Sequence, residues 1–219
     1  MHYKHLTLVM LLISLTGFGQ RYEFDTFTEY QFKKSEQAGI DKTFEFSNSK
    51  DNSYILSVLE DGKQVTLTFL HASGQKAVLK MPKQSFFDEE NILVNCSSTQ
   101  KQDLTFAQEA VVSFDFMKLS DTIIKKDTLQ HYVIRTVDSD VAKEVGERHF
   151  IIQKSTDFHL PNVTPGTIPY FCWASGKTLP SGLFRQTYIV KDEELLEKMI
   201  LMDYRKQKKV LVIERGCKY

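Results

Sequence analysis

The sequence predicts a mainly β protein: an antiparallel meander forming an open sheet or half-barrel, with at most one or two short helices. Three observations carry this. "YEFDTFTEYQFK" puts Tyr22, Phe24, Thr26, Thr28, Tyr30 and Phe32 on one face and polar residues on the other, with Phe27 out of phase. A period of two marks a half-buried strand. The turn "EDGK" joins "SYILSVL" to "QVTLTFL", and Asp-Gly between alternating runs signals a hairpin, because glycine accepts positive φ. Short apolar runs then recur at roughly ten-residue spacing with turn residues between them.

Taken in order, the chain opens on an apolar run, Leu6 to Leu15, behind Lys4. As a helix this run reaches only about 15 Å, half of a hydrocarbon core of ~30 Å. Gly17 and Gly19 fall where a signal peptidase needs small residues. Residues 1–19 are therefore expected to be a cleaved signal peptide and 20–219 a single β-rich domain, periplasmic or secreted; a short buried helix is the other reading. No later stretch is long and apolar enough to span a membrane.

After the first hairpin, "HASGQ" turns the chain into "KAVLK", and Asp103 to Ala110 admits a short helix. "AVVSFDFM", "QHYVIRTV", "RHFIIQK" and "FRQTYIV" are strand candidates, rich in β-branched and aromatic residues. "LPNVTPGTIP", Leu160 to Pro169, is expected to be a surface loop because proline interrupts both helix and ladder. "DEELLEKMILMDYRK" reads two ways: a helix capped by Asp192, with Leu195, Leu196, Met199 and Ile200 on one face, or a strand. The meander around it, ending in "KKVLVIE", favours the strand.

The 28 basic and 28 acidic residues balance, so the chain has no electrostatic footprint for nucleic acid or an anionic membrane. Cys96, Cys172 and Cys217 allow one bridge and one leftover thiol in an oxidising compartment. A Cys96–Cys217 disulfide would pin a tail that otherwise frays; three reduced thiols are the alternative.

Motifs for catalysis fall short. "WASGKT" lacks the P-loop's first glycine, Phe171 standing in its place. "SNSK" and Ser98 to Lys101 fit Ser-x-x-Lys without its companion elements, and no Gly-x-Ser-x-Gly elbow occurs. His149 and His159, with Asp157, offer metal-ligand types, but no HExxH or CxxC spacing supports them. No metal, cofactor or catalytic residue is therefore expected. "NCS" at Asn95 and "NVT" at Asn162 fit an N-linked acceptor, and Asp121 and Asp127 begin short Asp-Thr-aliphatic acceptors. The densest aromatic patch, "IPYFCWAS", makes Tyr170, Phe171 and Trp173 the candidate ligand-binding residues, since aromatics offer large rigid contact area.

"FSNSKDNSYILSV", "RHFIIQKSTDFHLPN" and "LPSGLFRQTYIV" resemble segments of uncharacterised secreted, β-rich envelope proteins of bacteria with an outer membrane. A long meander behind a signal peptide is also similar to the half-barrel of periplasmic lipoprotein carriers. That resemblance implies an apolar concavity that binds acyl chains. The expected function is a non-catalytic extracytoplasmic binding or structural protein of the envelope, its partner an apolar or peptide-like ligand or an envelope protein. The alternative is a hydrolase with a site assembled from distant residues, with His149 or His159 as base.

Overall fold

The computed structural model describes residues 19–34, 39–154 and 156–217. The expected signal peptide therefore lies outside the described residues, apart from Gly19. Thirteen strands form one sheet, antiparallel except where β6 joins it. The first half is a meander: β1 (Gln20–Lys34), β2 (Ile40–Asn48), β3 (Asp51–Asp61), β4 (Gln64–His71) and β5 (Gln75–Pro82), with β7 (Thr99–Lys101) at its edge. The second half runs from β8 (Phe114–Lys118) through β10 (Asp127–Thr136), β11 (Glu147–Gln153) and β12 (Leu183–Lys191) to β13 (Glu194–Ile213). The halves meet where β1 pairs with β13, from Gln20 opposite Ile213 to Lys34 opposite Glu197. β6 (Asn91–Val94) lies parallel to the end of β13, and β9 (Thr122–Ile124) pairs with β10.

The Asp-Gly hairpin forms as expected, with Gly62 at φ 60° between β3 and β4. The ambiguous segment is strand: β12 and β13 are joined by Asp192 and Glu193, at φ 50° and 66°. Two consecutive positive φ values are the signature of a hairpin turn that matches strand twist. Among the described residues four short helices occupy connections: α1 (Lys83–Asp88), α2 (Thr105–Glu109), α3 (Ser139–Val145) and α4 (Ile168–Ala174). They outnumber the one or two expected because a helix of two turns or fewer leaves almost no periodicity to read. "AVVSFDFM" is strand only from Phe114; Ala110–Ser113 winds as a 3₁₀ turn continuing α2.

Phe27 is out of phase for a structural reason. The pairing of β1 with β13 slips between Phe24 and Thr26, where Asp25 is opposed by two residues of β13, Gln207 and Lys208, and a bulge of this kind bends the ladder and increases its local twist. Phe24 and Phe27 thus enter the same core cluster, with Phe44, Phe46, Leu56, Val58, Leu67 and Phe69 of β2–β4. Phe27 lies 5.2 Å from Phe46 and 5.5 Å from Phe44, centroid to centroid. Helix α1 closes this core. Phe86 is fully buried edge-on to Phe46, and the buried Lys209 of β13 donates to the carbonyls of Phe86, at 2.6 Å, and Glu89. Its ammonium sits 4.7 Å from the Phe86 ring. Burial pulls its pKa down, opposed by Glu89, Glu90 and Asp88.

Cys96 and Cys217 are disulfide-bonded, their Cα atoms 4.9 Å apart, and Cys172 is free and buried. The bridge joins the tail beyond β13 to the link between β6 and β7, across a sequence separation of 121. Closing so long a loop restricts the unfolded chain. Replacing both cysteines by serine is expected to lower stability by about 2–4 kcal/mol, read as a lower urea midpoint with an intact β-type circular dichroism spectrum at zero urea.

Candidate ligand cavity

Beyond the slip in β1, alternation sends Thr28 and Tyr30 to the face opposite Phe27. Thr28 pairs with Glu45 across β2, and Tyr30 with Leu201 across β13. The same face continues through Met199 and Thr187, which pair, then Phe150, opposite Thr187, and Ile134, opposite Arg148. Of these, Tyr30, Glu45, Met199, Thr187, Phe150 and Ile134 floor a cavity of about 520 Å³, within the range of small-molecule sites.

The roof is the proline-rich segment. It was expected on the surface, but Asn162 and Val163 are buried, and Asn162, Val163, Thr164, Thr167, Ile168 and Pro169 all line the cavity. The segment is held from both sides: Asn52 donates to the Pro161 carbonyl at 3.0 Å, and the Asn162 amide donates to the Gly182 carbonyl at 3.3 Å. Gly182, at φ 135°, lies so close to β11 that a Cβ would sit 2.4 Å from the Gln153 carbonyl oxygen. Because Asn162 is buried, it is no sugar acceptor. Lys177 of "WASGKT" donates to the carbonyls of Val111, at 2.7 Å, and Phe114, which packs α4 against the sheet.

Polar chemistry in the cavity is concentrated at one place. Glu45 is enclosed by protein, with its remaining accessible surface on the cavity wall, and burial pushes its pKa up to about 7. The Tyr30 hydroxyl beside it is fully enclosed. Burial and then the charge of Glu45 raise its pKa, against hydrogen bonds from Asn162 and Thr28. At the rim, Arg148 pairs with Glu197 at 2.8 Å. A mainly apolar chamber, with Thr164, Thr167 and Thr187 also on its walls, thus ends on a carboxylic acid, a phenol and an amide.

Tyr170, Phe171 and Trp173 lie on α4, immediately after two roof residues, and pack against the core cluster around Phe114 and Phe150. Their rings touch one another, Tyr170 to Phe171 at 5.4 Å and Tyr170 to Trp173 at 6.0 Å, and none of the three lines the cavity. His149 is joined not to His159 but to His131, at 3.0 Å, on the opposite face of β10 and β11. The His159 amide donates to the Ser49 carbonyl, and Asp157 lies 3.6 Å from Lys206. Glu45 and Tyr30 went unnoticed in the sequence because a glutamate between Phe44 and Phe46 reads as the solvent side of a strand.

No family model matches the sequence, and no curated protein matches it. Among solved structures, the chain is distantly similar to MucB, at 6% identity and a TM-score of 0.43 over 85% of this chain and 54% of that one. It thus spans about half the length of MucB. It is also similar to a putative outer membrane lipoprotein-sorting protein domain from Vibrio parahaemolyticus, at 8% identity and a TM-score of 0.31, covering 84% of this chain and 86% of that one. A LolA superfamily protein from Nitrosomonas europaea is similar at 10% identity and a TM-score of 0.31, with the same coverage. Among the described residues no helix is long and apolar enough to cross a membrane.

Glu45 gives stability a definite pH dependence. Between the ordinary glutamate value of 4.5 and about 7, the folded protein keeps a proton that the unfolded chain has released. Stability therefore falls as pH rises through that window, by about 3 kcal/mol in all. Glu45→Gln is expected to remove this slope and to be the more stable protein at pH 8, as measured by urea denaturation from pH 4 to pH 8.

Proposed function

We propose that this protein is a non-catalytic, extracytoplasmic binder of an apolar ligand carrying one hydrogen-bonding head. The observation that carries the reading is the cavity of about 520 Å³, floored by Ile134, Phe150 and Met199 and ending on Glu45 and Tyr30. An apolar body gains by leaving water for such walls. The head finds hydrogen-bonding partners there in a low-dielectric site. Tyr170, Phe171 and Trp173 serve by backing the roof that Ile168 and Pro169 present to the ligand. The Cys96–Cys217 disulfide supports export, because such bonds persist in oxidising compartments. Removal of residues 1–19 belongs to the same reading.

The test is a titration of the mature protein with a fluorescent fatty-acid probe, followed by Trp173 emission and probe emission. Saturable one-to-one binding is expected, and Ile189→Trp, which fills the cavity from β12, should weaken it at least tenfold without lowering thermal stability. Ionised Glu45 resists desolvation, so probe affinity should fall as pH rises through 7 and stay flat in Glu45→Gln. Binding that is equal in wild type and Ile189→Trp would remove the cavity as the site.

A further inference from the structure

The face of β10–β12 turned away from the cavity carries a second constellation. His149 pairs directly with Tyr188 across β12, and His131 lies two residues along β10 from Val133, the partner of His149. The register brings three donor atoms together. His131 Nε2 is 3.0 Å from His149 Nδ1 and 3.3 Å from the Tyr188 hydroxyl. The His149 and Tyr188 rings stack at 4.5 Å with 7° between their planes. The other ring nitrogen of His149 is 3.9 Å from a Glu147 carboxylate oxygen. The field of a carboxylate there favours the proton on Nε2, which leaves the Nδ1 lone pair facing His131.

We propose that His131 Nε2, His149 Nδ1 and the Tyr188 oxygen form a surface site for a divalent transition metal, copper(II) in the first place. The spacing suits a pair of cis ligands. Nitrogens 3.0 Å apart, each about 2.1 Å from a common ion, subtend about 90° there, the cis angle of tetragonal copper sites and narrower than a tetrahedral angle. Two imidazoles and a phenol oxygen are also a donor set that suits copper(II), the tightest-binding ion of the divalent first-row series. On binding, His131 carries its proton on Nδ1, and the Tyr188 hydroxyl proton passes to solvent. The third ligand is a tyrosine, which is why a search of the sequence for histidine, cysteine and carboxylate spacing misses the set. Among the described residues, no three of those types converge.

The experiment is a copper(II) titration of the untagged mature protein, read by electron paramagnetic resonance and visible absorption. One equivalent is expected to bind with hyperfine splitting from two nitrogens and with a phenolate-to-copper charge-transfer band. His131→Gln and His149→Gln should each abolish the two-nitrogen signal, Tyr188→Phe should lose the band while keeping both nitrogens, and Glu147→Gln should weaken binding roughly tenfold. Circular dichroism of each variant controls for folding, and Tyr188→Phe serves if a histidine variant fails to fold. Copper binding by the double histidine variant equal to that of wild type would overturn the site, and a wild-type complex without the charge-transfer band would remove Tyr188 from it. The fatty-acid titration is independent of both outcomes.

Discussion

The structure depends on one strand being buried from both sides. Around the slip in β1, Thr26, Phe27 and Thr28 are all almost fully buried, although Phe27 and Thr28 point to opposite faces. Phe27 belongs to the core closed by α1, and Tyr30 to the chamber roofed by 162–169. A single sheet therefore supports two covered regions on opposite faces, one for each half of the chain.

The two covered regions are filled differently. The first is packed with interlocking rings, Phe27 on Phe44 and Phe46, Phe46 on Phe86, Phe86 on Phe87, and its buried cation is satisfied by backbone carbonyls at the end of α1. The second is left incomplete, and the space falls where Glu45 stands. A carboxyl group with so few partners is a poor core residue, since burying it costs free energy unless it is paired or protonated. Its raised pKa is the physical trace of that cost. A region that retains both empty volume and an unpaired acid is organised for something other than its own packing.

Strands and hairpins were readable because alternation and turn chemistry are local. The Asp61–Gly62 turn, the strand character of 192–206 and the Cys96–Cys217 bridge all follow from short stretches or simple counting. Even the misfit of Phe27 was visible, though not its cause, because a bulge is defined by the partner strand. The cavity was not readable. Whether Glu45 faces water or a roof depends on where residues 160–169 settle, more than a hundred positions away, and prolines that forbid regular structure do not say which side of a sheet the loop will cover. The histidine pair failed for the same reason: His131 and His149 meet only through the register of β10 on β11.

The seam between β1 and β13 has a kinetic side. It unites the opening and closing strands of the domain, Gln20 with Ile213, so the longest ladder in the sheet must wait for its final partner to be made. Until then β1 presents an open edge of unpaired backbone groups, of the kind that recruits foreign strands. Contacts so distant along the chain also fold slowly, because loop entropy is lost before they form. That edge stays open until the last twenty-five residues or so are in place, and a chain is prone to misassociate while such an edge is exposed.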